Sequence, residues 1–431
     1  MTFDPSLRHV LVVAYYFPPM GLSGVQRVTK FVKYLPEYGW HPTVLTVEPG
    51  GYFAYDQSLL REVAKEGVQI YRATSWDPSR LFGNHQTVNL PPEPRRKWYS
   101  MLSQFVFVPD NKIGWMPNAL RLGRKLLREH RFDAIFSSAP PYSAHLIAGR
   151  LSRWSGIPLL VDFRDDWVGN PRHVYPTPLH RRMHRDLERR VIRTSRHVIT
   201  INEQIRHELA ERHPMREDEI SVIPQGFDAE DFERHVVSRS TNTLRFLYCG
   251  IFYDAQTPDF FLKALARMVE QDPALRNHIE AVFVGLLPES SWFLISKLGI
   301  GDLVKYEGYV SHDEAVEQQV KADVLWMTIG KRPGAEGIST GKLYEYIGVR
   351  KPILALVPEG AAKETLEPYG AAWVVEPDDV RAIEKTLAVI VQRWKAGTLP
   401  VANETYVRQF ERRRLTGRLA ALLARSTAGT D

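Results

Sequence analysis

The segment "GAEGISTGKLYEYIGVRKPIL", Gly334 to Leu354, carries residue types suited to holding a charged small molecule. Gly334 and Gly337 open a loop, Ser339, Thr340 and Gly341 supply capping hydroxyls and uncovered amides, and helical spacing begins near Lys342. A helix N-terminus of this kind holds an anion such as a diphosphate, because its first N–H groups lack intrahelical acceptors and the helix dipole is positive there. Lys342 adds a cation, and Glu345, one turn on, offers a carboxylate to the two hydroxyls of a ribose. An ordinary capped helix with Glu345 on its surface has the same spacing. This stretch alone leaves both readings open.

Two other stretches place chemistry where an apolar run stops. "FPPMGLSG", Phe17 to Gly24, ends the first such run, and Gly21 and Gly24 leave backbone amides open to a close approach. It is either loop punctuation or a phosphate-facing loop; the third glycine of a dinucleotide fingerprint is missing. "DFRDDW", Asp162 to Trp167, sets four charged residues at a strand end. Arg164 and Asp165 either orient a sugar hydroxyl and balance a phosphate, or form a salt-bridged cap. No further carboxylate or histidine stands at metal spacing from Asp162 and Asp165, so no metal is expected.

These stretches need elements to position them, and short apolar runs alternating with amphipathic ones supply the pattern. Strands are expected near 9–16, 43–48, 68–74, 134–139, 158–163, 197–202 and 220–224. The alternation pauses over the polar stretch 228–243 and restarts with strands near 244–250, 280–285, 304–309, 324–329, 352–357 and 371–376. Near-continuous apolar strands between helices indicate parallel sheets covered on both faces. The expected architecture is α/β: two doubly wound, Rossmann-like domains facing across a cleft. Their bounds are 1–227 for the first domain, 228–243 for a linker, and 244–400 for the second. A closing helix over 401–431 packs back on the first domain. Residues 78–114, with Trp98, Phe105, Phe107 and neighbouring Trp115, read as an excursion from this pattern.

The chain has 431 residues, 44% hydrophobic and 25% charged, as in a globular protein. One cysteine, Cys249, excludes a disulfide framework and fits a reducing cytoplasm. No apolar run is long enough to span a bilayer, and the N-terminus lacks the order of a secretory signal. The net charge of +6 is unevenly spread: "HRRMHRDLERRVIRTSRH", residues 180–197, holds seven arginines against one Asp and one Glu. With the aromatic excursion, that helix is either a solvated face or a contact with an anionic inner membrane leaflet. No nucleic-acid reading motif accompanies the charge.

The segments "STGKLYEYIGVRKPILAL", "ISVIPQGFDAEDF", "FLYCGIFYDAQTPDFFLKAL" and "VKYEGYVSHDEAVEQQVKADVLWM" resemble retaining glycosyltransferases with the GT-B fold, family 4. "SSAPPYSAHLIAGRL" followed by "DFRDDW" is similar to bacterial members acting on surface polysaccharides or lipid-linked glycans. The resemblance covers nearly the whole chain, with its motifs in the family's order. It implies a sugar moved from a nucleotide sugar to a saccharide or lipid-linked acceptor, with retention and without a cofactor or metal. Glu345 then looks like the ribose-binding glutamate, and Ser339, Thr340, Gly341, Lys342 and Leu343 like the donor diphosphate site. Gly21 and Gly24 look like the loop over the donor phosphates, and Tyr309, Val310 and Ser311 fall where the backbone meets the nucleobase. Arg164, Asp165, Glu336 and Lys342 take the catalytic positions, and Ser138, Pro140, Tyr142, His145 and Trp167 the acceptor side.

Three departures stand out. Gly337 occupies the place of the usual first of two glutamates, with Glu336 next to it. The usual Arg and Lys after the second domain's first strand are replaced by Tyr253, Asp254 and Gln256, and Lys331, Arg332 or Lys342 are the candidates to supply the charge. Gln225 stands where Asn is common. Two other classes remain: a nucleotide-sugar 2-epimerase of the same fold, and a catalytically degenerate scaffold.

Overall fold

Adjacent positions along β1 (Arg8–Val13) enter different cores: Leu11 and Val13 join one apolar cluster, Val10 and Val12 another, and all four are fully buried. A strand buried on both faces must be apolar throughout, and it needs a covering layer on each side. The computed structural model describes residues 7–21, 23–50, 55–77, 80, 103–170, 173, 175–235, 242–252 and 256–428. They form two compact units, residues 1–224 with 412–431, and residues 225–411.

In the first unit β1 is joined by β2 (Trp40–Val47), β3 (Gln69–Ala73), β4 (Ala134–Ala139), β5 (Leu159–Phe163), β6 (His197–Thr200) and β7 (Ile220–Val222). All pair in parallel, in the order β3-β2-β1-β4-β5-β6-β7. The chain reverses direction of growth between β1 and β4, the switch point at which an open parallel sheet leaves a crevice beyond its carboxyl ends. The helices are α1 (Ser23–Tyr34), α2 (Gln57–Lys65), α3 (Met116–Glu129), α4 (Ser143–Ser155), α5 (Pro178–Thr194) and α6 (Glu203–Arg212). Helices α3, α4 and α5 send apolar stripes into the cluster that holds Leu11, while α1 covers the other face. Asn202 starts α6 by accepting the Ile205 N–H at 2.9 Å.

The second unit repeats the plan with β8 (Leu244–Ile251), β9 (Ile279–Leu286), β10 (Val304–Gly308), β11 (Val324–Thr328), β12 (Ile353–Leu356) and β13 (Ala372–Val375). Its order is β10-β9-β8-β11-β12-β13, again all parallel, with the switch between β8 and β11. Its helices begin with α7 (Ala229–Glu233), which lies inside the stretch expected as a linker and belongs to this unit; residues 236–241 lie outside the described set. There follow α8 (Asp259–Gln271), α9 (Glu289–Leu298), α10 (His312–Lys321), α11 (Gly341–Val349), α12 (Ala361–Leu366), α13 (Val380–Lys395) and α14 (Glu404–Arg408). Gly348 in α11 lets the helix approach Phe227 and Phe232; a Cβ there would meet their rings at 2.5–2.7 Å.

The last helix, α15 (Arg412–Thr427), returns to the first unit. Leu415, Leu419, Leu422 and Leu423 follow a helical stripe and bury against Val28, Phe31 and Val32 of α1. Trp115, expected among exposed aromatics, is fully buried with its ring edge-on to Tyr15 at 5.5 Å; Trp98 lies outside the described residues. A chain ending at Glu411 uncovers α1. With about 1.5–3 kcal/mol for each buried leucine, such a truncation will raise amide exchange in residues 23–34 and lower the first unit's melting temperature, while residues 244–375 keep their protection.

Candidate functional site

Helix α11 starts abruptly at the carboxyl side of the second sheet. Thr340 takes the N-cap place in extended conformation, yet its hydroxyl caps nothing, and its Oγ1 is buried without a hydrogen-bond partner among the described residues. The Leu343 N–H turns back to the Thr340 carbonyl at 3.1 Å, which leaves the Gly341 and Lys342 amides without an acceptor among the described residues. Two open amides and an idle hydroxyl at a positive helix end are what an anion requires.

Lys342 lies against this terminus. Its Nζ sits 3.6 Å from the centre of the Tyr248 ring, and it makes no ion pair among the described residues. Burial brings its pKa down to about 7, against the pull of neighbouring Cys249 and Glu345 toward the charged form. Gly250 makes room for it: at φ +131° its missing Cβ would fall 2.9 Å from the lysine's Cε and Nζ. Tyr248 in turn stacks on Phe252 at 4.0 Å and leans on Trp326 at 4.9 Å, so the ring under the ammonium is fixed. Glu345 is half-buried and likewise has no hydrogen bond or ion pair among the described residues.

The loop before α11 is pinned by its main chain. Ala361 N–H donates to the Glu336 carbonyl at 2.8 Å, and Gly360, at φ +125°, admits that contact, since a Cβ would lie 2.4 Å from the same oxygen. The Glu336 side chain itself is exposed. Ser339 shares a hydrogen bond of 2.9 Å with Tyr344. Lys331 is not a spare cation: Glu376 and Asp378 bind it at 2.9 and 2.7 Å and hold its pKa well above the usual lysine value. It lines a cavity of about 160 Å³ with Thr257 and Thr328, to which Lys342 and α11 do not contribute. Ser311 is spent as well, because its N–H and Oγ both pair with Glu314 at 2.9 Å in a capping box. Of the three residues expected at the nucleobase, Tyr309 is exposed and Val310 keeps an unpaired amide among the described residues. Tyr253 and Asp254 lie outside the described set.

In the first unit the strand end at Asp162 separates committed from uncommitted charge. Arg27 of α1 meets the Asp162 carboxylate with two donors at 2.8 and 3.0 Å and also reaches the Ile223 and Pro224 carbonyls. Ser138 donates to the same carboxylate at 2.8 Å, so Ser138 is a support for Asp162. Burial alone would raise the Asp162 pKa, but Arg27 and Ser138 hold it below the usual value. Arg164 is a strut: its guanidinium binds the carbonyls of Ala139, Pro140 and Gly24, so it ties the glycine loop and residue 140 to β5. Gly21 is buried beneath that loop and Gly24 is exposed. Asp165 differs from its neighbours, being half-buried with no hydrogen bond or ion pair for its carboxylate among the described residues.

Tyr142, His145 and Trp167, expected on the acceptor side, are core residues. Tyr142 stacks on Trp167 at 4.5 Å and donates to the Asp166 carbonyl, Trp167 donates to His184 Nδ1 at 3.0 Å, and His145 bonds Ser137 at 2.7 Å. All three are buried, so none presents a face to a ligand.

Two family models match the chain in succession: "Glycosyl transferase 4-like domain" over residues 24–226 and "Glycosyl transferases group 1" over 230–398. Each matched stretch is thus similar to a glycosyltransferase domain, and the two-sheet fold is that of GT-B structures. A D-inositol 3-phosphate glycosyltransferase of Nocardiopsis dassonvillei is 29% identical over 134 residues, 28% of this chain and 31% of the relative. The stretch shared with such curated relatives is thus about a third of their length. Among solved structures, a glycosyltransferase of Rickettsia africae superposes with a TM-score of 0.64 at 14% identity, covering 99% of this chain and 100% of that one. The Anabaena protein HepE, solved in complex with UDP, gives 0.65 at 13%, covering 97% and 100%.

Sequence reasoning missed the residues that hold this chain's strand ends in place. Arg27 sits in a helix with ordinary apolar spacing, and its partner Asp162 is 135 positions away. Tyr248 carries no sign of the lysine above it. Buried Glu188 accepts from Arg212, His213 and the Val168 amide, each at 3.1 Å, and Arg212 also binds Asp166. The arginine-rich run had offered Glu188 only as one acid among many bases.

Breaking a buried pair strands the remaining charge. Asp162→Ala will cost about 3–5 kcal/mol in urea unfolding, whereas Asp165→Ala, which breaks no pair, will leave the midpoint nearly unchanged. Burial also keeps His145, His184 and His197 neutral, with pKa values down to about 3, 4 and 4. Each lies below the 6.5 of the unfolded chain, so their contribution is complete above pH 6.5 and is lost as pH falls toward 4. Glu208, pushed up to about 7 by burial and Asp166, and Asp110, raised by burial, work in the opposite sense, whereas His173, also lowered by burial, adds to the three histidines. The melting temperature of the first unit will therefore fall as pH drops from 6.5 to 4.

Proposed function

We propose that this glycosyltransferase moves a sugar from a nucleotide sugar to a saccharide or lipid-linked acceptor, with retention at the anomeric carbon, in the assembly of cell-surface polysaccharide. The observation that carries the donor half is the N-terminus of α11: two open amides, the unpartnered Thr340 hydroxyl, and Lys342 and Glu345 without ion partners among the described residues. HepE, which shares the fold, was solved with UDP-glucose, with UDP, and with UDP and glucose. The N-terminal family model and the curated relatives are those of glycosyltransferases.

In this reading the Gly341 and Lys342 amides and the Lys342 ammonium receive the diphosphate, and Glu345 receives the ribose hydroxyls. Positive groups already in place stabilise the charge that grows on the leaving phosphate, so positioning supplies much of the rate. The C1–O bond to the diphosphate breaks, the acceptor oxygen bonds C1 on the same face, and the acceptor's proton passes to the departing phosphate oxygen. The positive charge comes from the protein, and no metal enters the scheme. Asp165, with its carboxylate uncommitted, is the first-unit residue left for an acceptor hydroxyl, while Arg164 and Ser138 act by holding the strand end.

The test begins with a thermal-shift screen of UDP-, GDP-, dTDP- and ADP-sugars, followed by assay of nucleoside diphosphate release with and without acceptor. Acceptor-dependent release in equal amount to glycosylated product supports transfer; isomerised sugar nucleotide without acceptor would identify an epimerase, and no turnover a scaffold. Glu345→Ala will weaken binding of the nucleotide found in the screen by about tenfold, one lost charge-assisted contact. The free Lys342 pKa of about 7 adds a pH signature. A bound diphosphate favours the ammonium, so binding above pH 7 takes up a proton, and the dissociation constant will rise up to about tenfold per pH unit from 7 to 9. Calorimetry in buffers of different ionisation enthalpy reads this uptake, and Lys342→Met will abolish it.

A further inference from the structure

Helices α3, α4 and α5 lie side by side over one face of the first sheet and share one core. A Cβ on Gly123 of α3 would touch Leu151 of α4, and one on Gly149 of α4 would lie 4.0 Å from Thr194 of α5. Their outer surfaces carry four exposed Lys or Arg on α3, two on α4 and six on α5. The acids of the same helices are few: Glu129 is exposed, Asp186 is half-buried, and Glu188 is buried and held by Arg212. Two weak pairs, Lys125 with Glu129 at 3.9 Å and Arg189 with Asp186 at 3.7 Å, neutralise little of this charge. The excess belongs to one contiguous face, which a net charge of only +6 for the whole chain does not reveal.

Apolar side chains stand at the edge of that face. Leu179 and Met183, in the first turns of α5, are 64% and 41% exposed. Phe105 and Val106 lie beside them, also exposed, with the Phe105 carbonyl 3.1 Å from His180 Nε2 and its ring 5.2 Å from the histidine ring. Trp154 of α4 is 42% exposed, with Arg128 and Arg124 over its ring at 5.4 and 6.0 Å. Along the outer stripe of α5 the order runs Leu179, Arg182, Met183, Asp186, Arg189, Arg190 and Arg193, apolar at one end and mainly cationic toward the other. A nucleic acid would use the charge but has no use for exposed Leu, Met and Val. A bilayer uses both: acyl chains take the apolar residues, anionic headgroups the arginines, and a tryptophan suits the boundary.

We infer that the α3–α4–α5 face of the first unit is a docking surface for an anionic lipid bilayer, with Leu179, Met183, Phe105 and Val106 entering the headgroup layer. The argument uses only this face and stands independently of the donor site. Co-sedimentation of the full chain with vesicles of phosphatidylcholine alone, and of phosphatidylcholine with phosphatidylglycerol in equal parts, tests it. Binding to the anionic vesicles alone is expected. Arg182→Glu/Arg189→Glu/Arg193→Glu will weaken it about tenfold or more, and Leu179→Ser/Met183→Ser will remove what survives at ~0.5 M salt, where screening is strong. All five positions are exposed, and melting curves of both variants will match the parent chain. No binding, equal binding to neutral vesicles, or binding that duplex DNA displaces and the apolar substitutions leave unchanged would each overturn the inference.

Discussion

A parallel sheet covered on both faces allows polar chemistry only at the ends of its strands, because every position between them is sealed in a core. In this chain β1, β4, β5, β11 and β12 are almost wholly buried along their length. Charged groups that reach the strand ends must then be paired or left partly wet, since an unpaired charge in the core is costly. That constraint sorts the charged residues of this chain. Asp162, Arg27, Arg164 and Glu188 are buried and fully occupied, holding loops and helices to strand ends. Lys342, Glu345 and Asp165 are half-buried, with no ion partner among the described residues.

Lys342 illustrates how an unpaired charge is kept at such a place. A glycine with positive φ clears the space, an aromatic face lies under the ammonium, and burial weakens its hold on the proton. The Tyr248 ring offers attraction without neutralising the charge. A carboxylate in that position would have closed the pair and left nothing for an incoming anion. Lys331 shows that outcome, since two carboxylates already hold it. The α11 terminus is left with open amides among the described residues and one cation seated on an aromatic ring.

Local pattern and long-range partnership were not equally legible. Each of the thirteen strands among the described residues falls within two or three residues of its expected position, and in the inner strands burial on both faces forces an apolar run that local sequence displays. The turn into α11 was visible in Ser339, Thr340 and Gly341 for the same local reason. The burial of Tyr142, His145 and Trp167 was not legible, because polar or aromatic residues next to a strand end look alike in sequence whether they face a ligand or the core.

The amino-acid sequence by itself determined the alternation of strands and helices, the two parallel sheets, the helix start near Lys342, and the surplus of arginine over residues 180–197. Each is written in residue types a few positions apart, where backbone geometry fixes which side chains share a face. Tertiary structure alone decided which charges are spent. Arg27 finds Asp162 across 135 positions, Arg164 ends on three carbonyls, and Lys342 comes to rest on Tyr248. Those partners meet only after the sheets have formed, and pairing depends on distances that no local spacing records.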